Sequence, residues 1–105
     1  MRPIPKQLRD EMADDPFYKQ CCLGDNCYGK IEFHHNLIYA GRQVNEKWAI
    51  LPLCKFHHDN IAWVRRRVDH IMLNRATDGE LRAYSKAIDY VALRERLNKE
   101  HEGQS

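Results

Sequence analysis

Leu53-Cys54-Lys55-Phe56-His57-His58-Asp59-Asn60 is the stretch that decides the reading of this chain. Two residues separate Cys54 from His57, a gap that lets a tight turn aim a thiolate and an imidazole at one ion. A second knuckle lies upstream in Cys21-Cys22-Leu23-Gly24-Asp25-Asn26-Cys27, where four residues separate Cys22 from Cys27. Cys22, Cys27, Cys54 and His57 together offer three sulfurs and one nitrogen. That set suits tetrahedral Zn2+, because thiolate and imidazole are soft or borderline donors. Cys21 competes with Cys22 for the same place, with a five-residue gap to Cys27. Such a closed site is structural: it pins the chain before a first strand to the helix that follows a second. In zinc-finger peptides this binding energy is folding energy, on the order of 10 kcal/mol.

Working outward, Ile31-Glu32-Phe33 and Ala49-Ile50-Leu51-Pro52-Leu53 are short apolar runs that predict strands, with Pro52 near an end or on an edge. From His57 the period changes to that of a helix, with Ile61, Val64, Val68, Ile71 and Met72 on one face, and the pattern stops near Asn74-Arg75. Thr77-Asp78-Gly79-Glu80 reads as a capping box opening a helix over about residues 78–99. Leu81, Tyr84, Ile88 and Val91 lie along one face of it, and a polar tail follows through Ser105. Residues 1–16 predict a short helix framed by Pro5 and Pro16, while Gly24, Gly29 and Gly41 fall at turn-like places. Trp48 and Trp63 read as packing residues, and Asp69 and His70 as surface positions. The order is α-β-β-α-α, an α+β fold in one domain spanning 1–105. Its metal-rich core covers about 20–70, between an N-terminal short helix and a C-terminal helical extension.

Composition bounds the function. The 105 residues suffice for one domain with a modest core, for which a metal staple is a useful supplement. Charged residues make up 30%, an ordinary globular share, and the net charge of +2 permits an anionic partner without proving one. No stretch approaches the roughly 20 apolar residues of a membrane helix. Met1-Arg2-Pro3-Ile4-Pro5 lacks the apolar run of a secretory signal, so the expected location is the cytoplasm. There thiols stay reduced, which favours metal over disulfides for the four cysteines.

Between the knuckles lies Ile31-Glu32-Phe33-His34-His35-Asn36. Neighbours at a strand end face opposite ways, which separates His34 from His35; neighbours on a helix diverge by about 100°, which separates His57 from His58. Phosphodiester cleavage needs a base, a cation and a positioned phosphate. His35 can be the base, and His34 with His58 can hold a divalent cation between strand and helix. Arg42 and Lys47, in the loop between the strands, are the favoured phosphate contacts, ahead of Arg65, Arg66 and Arg67 on the helix.

Glu32-Phe33-His34-His35, a strand, then Leu53-Cys54-Lys55-Phe56-His57-His58 resembles the HNH (ββα-metal) endonuclease motif with its treble-clef zinc knuckles. The resemblance covers roughly residues 20–70, and the stretch from Tyr39 to Trp48 is similar to small phage and prophage proteins of this type. It implies His34 as first metal ligand, His35 as general base, Cys54 and His57 as the knuckle pair and His58 as the last ligand of the catalytic metal. It also implies DNA as partner, a 5′-phosphate product, and Mg2+ as catalytic ion, with Mn2+, Ni2+ or Zn2+ also suited to imidazole ligands. The family's middle Asn falls at Ala49 here, with Asn45 and Asn36 nearby as substitutes. The rival expectations are a non-catalytic zinc module that docks on DNA or protein, and a structural zinc protein that self-associates through helix 78–99.

Overall fold

The computed structural model describes residues 3–39, with Tyr39 by its backbone alone, and 42–103. The turn expected at Gly41, the start at Met1-Arg2 and the end of the tail at Ser105 lie outside the described residues. The elements run α1 (Lys6–Ala13), β1 (Ile31–His35), β2 (Ile38–Tyr39), β3 (Arg42–Gln43), β4 (Ile50–Cys54), α2 (Lys55–Asp59), α3 (Ile61–Arg75), α4 (Asp78–Tyr84) and α5 (Tyr90–Gly103). This is the expected α+β class. None of the described helices is long and apolar enough to cross a membrane.

The organising element is β4. Ile-Leu-Pro-Leu-Cys is apolar without alternation, the pattern of a strand covered on both faces, and every residue of it is buried. Ile50 packs with Met12 and Tyr18 on the N-terminal side, while Leu51 and Leu53 join Val68, Met72, Leu73 and Leu81 on the helical side. β1 pairs antiparallel with β4, Ile31 opposite Cys54 and His35 opposite Ile50. Pro52 is tolerated because this sheet has only two strands among the described residues, so β4 has no further strand on its other edge, where the Pro52 carbonyl accepts from the Cys22 amide at 2.9 Å. The register places Glu32 and His34 opposite Leu53 and Leu51, on the helical side. β2 and β3 form a separate small hairpin.

The helical part differs from expectation in two places. The helix expected from His57 is interrupted at Asn60, between α2 and α3; the Asn60 side chain and backbone amide both donate to the Phe56 carbonyl, at 2.8 and 3.2 Å. A short polar side chain that bonds its own backbone is a standard competitor of helix continuation. The helix expected over 78–99 is two helices. Thr77 and Glu80 do form the capping box of α4. Ser85 then closes that helix, its hydroxyl donating to the Leu81 carbonyl at 2.7 Å and accepting from the Tyr90 amide at 3.1 Å. Asp89 opens α5 by accepting from the Val91 and Ala92 amides, each at 3.1 Å. Ile88 therefore lies in the connection and is 52% exposed instead of continuing the apolar face. Trp48 is buried as expected, but Trp63 stands out from α3 at 78% exposure, a correction to its reading as a packing residue.

Candidate functional site

Two clusters share the seam between β1 and the helix that follows β4. The first is made by Cys21, Cys27, Cys54 and His57, whose ligand atoms all lie within 4.8 Å of one another. The His57 Nδ1 is 3.4 Å from the Cys21 Sγ, 3.9 Å from the Cys27 Sγ and 3.2 Å from the Cys54 Sγ. A tetrahedral ion with metal–sulfur bonds of about 2.3 Å and metal–nitrogen bonds of about 2.0 Å requires sulfur–nitrogen edges of roughly 3.6 Å. The four residues therefore fit a metal ion in both donor chemistry and spacing.

Local structure explains the fit. Gly24, Asn26 and Gly29 have positive φ, which folds 21–29 back on itself. Gly29 has φ +89°, and a Cβ there would sit 2.8 Å from the Lys55 Cβ, so the knuckle closes only around a glycine. The Tyr28 and His57 amides both donate to the Cys54 Sγ, at 3.4 and 3.5 Å. Burial pushes the Cys54 thiol up, yet these donors outweigh it and hold the group below its ordinary value. Desolvation within the cluster, then the Cys21 and Cys54 thiols, pushes Cys27 up to about 11.

Cys22 is not in this cluster, and Cys21 takes the place expected of it. The Cys22 amide donates to the Pro52 carbonyl at 2.9 Å, which anchors the chain beside β4 where a turn begins at Cys22. Cys21 faces His57; Cys22 packs on the apolar core. Burial, then the neighbouring Cys21, pushes the Cys22 thiol up to about 12, so it stays protonated at neutral pH.

The second cluster is His34, His35 and His58. The His34 and His58 rings face each other edge-on, with centroids 5.1 Å apart. Each ring has one nitrogen tied down. The His58 Nδ1–H donates to the Glu32 carboxylate at 2.9 Å. The His34 Nε2–H donates to the Asn36 Oδ1 at 3.1 Å, and the Asn36 Nδ2 in turn donates to Asp69 at 2.8 Å and contacts the Met72 sulfur at 3.2 Å. The His35 Nε2–H donates to the Asn45 Oδ1 at 2.8 Å. An amide or carboxylate oxygen can only accept, so in a neutral ring each of these bonds places the lone pair on the other nitrogen: Nδ1 of His34, Nδ1 of His35 and Nε2 of His58. Burial, then the nearby His58, Arg65 and His35, takes His34 down to about 4, so its ring is neutral and able to ligate. Burial also raises Asp69, against the opposing pull of Asn36 and Arg65.

His34 and His35 both line one cleft of about 320 Å³, together with Asn36, Arg65 and Asp69. The rings themselves diverge as expected of strand neighbours: His34 bonds Asn36, which lines this cleft, and His35 bonds Asn45, which does not. Arg42 is exposed on β3, whereas the Lys47 ammonium is 2.8 Å from Asp15, well engaged within the protein. Arg66 pairs with Glu100 and Arg67 with Asp25, which leaves Arg65 as the guanidinium of that run beside the histidines. Asp69, read as a surface position, is half-buried and braces Asn36; His70 stacks on His101, with centroids 4.6 Å apart.

Glu32 and Asp69 are the site residues that sequence reasoning missed. Glu32 was legible: it lies two positions before His34 and so on the same strand face. Asp69 carried no local signal, since its partner Asn36 is 33 residues away. The molecule is thus a small α+β domain with a site able to hold a metal ion and a braced histidine cluster beside it. Comparison with family models, curated proteins and solved structures returns no match to this chain.

Proposed function

We propose that this chain is a metal-dependent DNA endonuclease of the HNH, ββα-metal type, with β1, β4 and α2–α3 as its treble-clef core. Cys21, Cys27, Cys54 and His57 would hold a structural Zn2+, and His34 with His58 a catalytic divalent cation such as Mg2+ or Mn2+. The observation that carries the reading is the bracing of three neighbouring imidazoles, each through one ring nitrogen, to Asn36, Asn45 and Glu32. Carboxylate and amide partners that fix a histidine tautomer are the usual support of metal-ligating and basic imidazoles.

The cation would supply electrostatic stabilisation of charge on the leaving 3′-oxygen. His35 does the proton chemistry: its Nδ1 takes a proton from the attacking water while Asn45 keeps Nε2 protonated. Asn45 thereby serves the bracing role of the family's middle Asn, whose position Ala49 cannot fill. Arg65, beside His34 in the cleft, is placed to draw in the phosphate ahead of Lys47.

The test is cleavage of supercoiled, linear and branched DNA with EDTA or with added Mg2+ or Mn2+. His35→Ala should lower the rate by about 10²–10⁴-fold while bound zinc and the melting transition are retained. Glu32→Gln should raise the cation concentration needed for half-maximal rate by about 10–100-fold. A wild-type chain that binds DNA but cuts none of it under any of these ions would establish the docking module instead. Equal cleavage by His35→Ala would reject the assignment of the base.

A further inference from the structure

The cleft that holds His34, His35, Arg65 and Asp69 has a second half with a different character. Leu37, Ile38, Met72, Leu73, Ile88, Tyr90 and Leu93 complete its wall. Ile38 on β2 and Ile88 in the connection between α4 and α5 are 59% and 52% exposed. Both are large aliphatic groups that the fold has no need to expose, and both open onto the same cleft as the braced histidines. The polar half comes from the end of β1 and from α3; the apolar half adds Ile88, Tyr90 and Leu93 of the C-terminal extension to Leu37, Ile38, Met72 and Leu73.

We infer that the apolar half receives a single unstacked nucleobase next to the scissile phosphate, so that the substrate class is DNA with unpaired bases and not uniform duplex. This rests on the nuclease reading and adds a specificity pocket to it. The occupant must join an anion to an apolar flat group, because Arg65 and the imidazoles line one side and aliphatic side chains the other. A nucleotide has that construction. The whole cleft, of about 320 Å³, lies at the bottom of the range for small-ligand sites, about 300–1,000 Å³, which has room for a base. A base already unpaired enters without the unstacking cost that a base in duplex must meet.

The experiment compares cleavage of a uniform duplex with that of the same sequence carrying one unpaired base, using the full zinc-loaded chain. Wild type should favour the unpaired substrate by about tenfold or more, from the unstacking cost that a base in duplex must meet. Ile38→Asp and Ile88→Asp should each bring that ratio close to one, with zinc content and melting transition as folding controls. A ratio near one in wild type, or one that survives both substitutions, overturns the pocket. Binding of a 2-aminopurine oligonucleotide to His35→Ala is followed in parallel by its emission. If no DNA is cut, the nuclease reading falls, and the pocket stands or falls on whether Ile38→Asp and Ile88→Asp abolish the emission change.

Discussion

Replacing Cys21 and Cys22 in turn separates the metal ligand from its neighbour. In Cys21→Ala one sulfur is removed from a cluster whose atoms all lie within 4.8 Å of one another, and the ion loses a quarter of its protein ligands. Zinc binding in small domains supplies on the order of 10 kcal/mol of folding free energy, as much as the whole net stability of about 5–15 kcal/mol expected of a domain this size. Cys21→Ala should therefore bind well under one zinc per chain and show no cooperative melting transition above ambient temperature. In Cys22→Ala the bond from its amide to the Pro52 carbonyl is a backbone bond and survives. What is lost is the packing of one half-buried sulfur, worth about 1 kcal/mol, which for a domain of this length lowers Tm by about 4–8 °C. The assay is metal analysis of the purified chain alongside a thermal melt with and without a strong chelator. Zinc retained by Cys21→Ala and lost by Cys22→Ala would refute the reasoning, since it would mean that Cys22 and not Cys21 faces His57.

Two further predictions test the frame around the site. Gly29→Ala forces a Cβ to 2.8 Å from the Lys55 Cβ at a φ of +89°, and should cost about 1–3 kcal/mol by denaturant titration and weaken zinc binding, whereas Gly24→Ala, with open space around it, should cost less. Acid should destabilise the fold through exposed carboxylates as well as through the metal site. Hydrogen bonds from Lys47 to Asp15, from Arg67 to Asp25, from Arg94 to Asp78 and from Arg66 to Glu100 each hold the acid below its ordinary value. Groups lowered on folding stabilise the folded state above their unfolded pKa, near 4, and lose that contribution as pH falls through the folded value. The urea midpoint should thus decline below about pH 4, by less in high salt and by less in Asp78→Asn; a midpoint flat from pH 6 to pH 2 would contradict it.

How much was legible in the sequence depended on the range of the interaction. The Cys54–His57 pair, the capping box at Thr77–Glu80 and the strand at Ile50–Cys54 rest on residues a few positions apart, whose geometry follows from one turn or one strand. The paired His34–His58 rings were anticipated by residue number, but their bracing was not. Glu32 reaches His58 across 26 residues and Asp69 reaches Asn36 across 33, contacts that exist only because β1 packs against α2 and α3. The break between α4 and α5 was missed because Leu81, Tyr84, Ile88 and Val91 keep an apolar spacing, while Ser85 and Asp89 supply the competing caps.

The sequence alone determined the donor chemistry: which thiols and imidazoles are present, and which pairs stand close enough along the chain for one turn to aim them together. It also determined where α4 begins, because the Thr77–Glu80 cap is a bond between near neighbours. Tertiary structure alone decided that Cys21 and not Cys22 faces His57, that Trp63 is left in solvent, and that Arg65 sits beside His34 while Lys47 turns to Asp15. The physical reason is that adjacent residues differ by the direction in which they point, and that direction has meaning only once the packed elements define an inside and an outside.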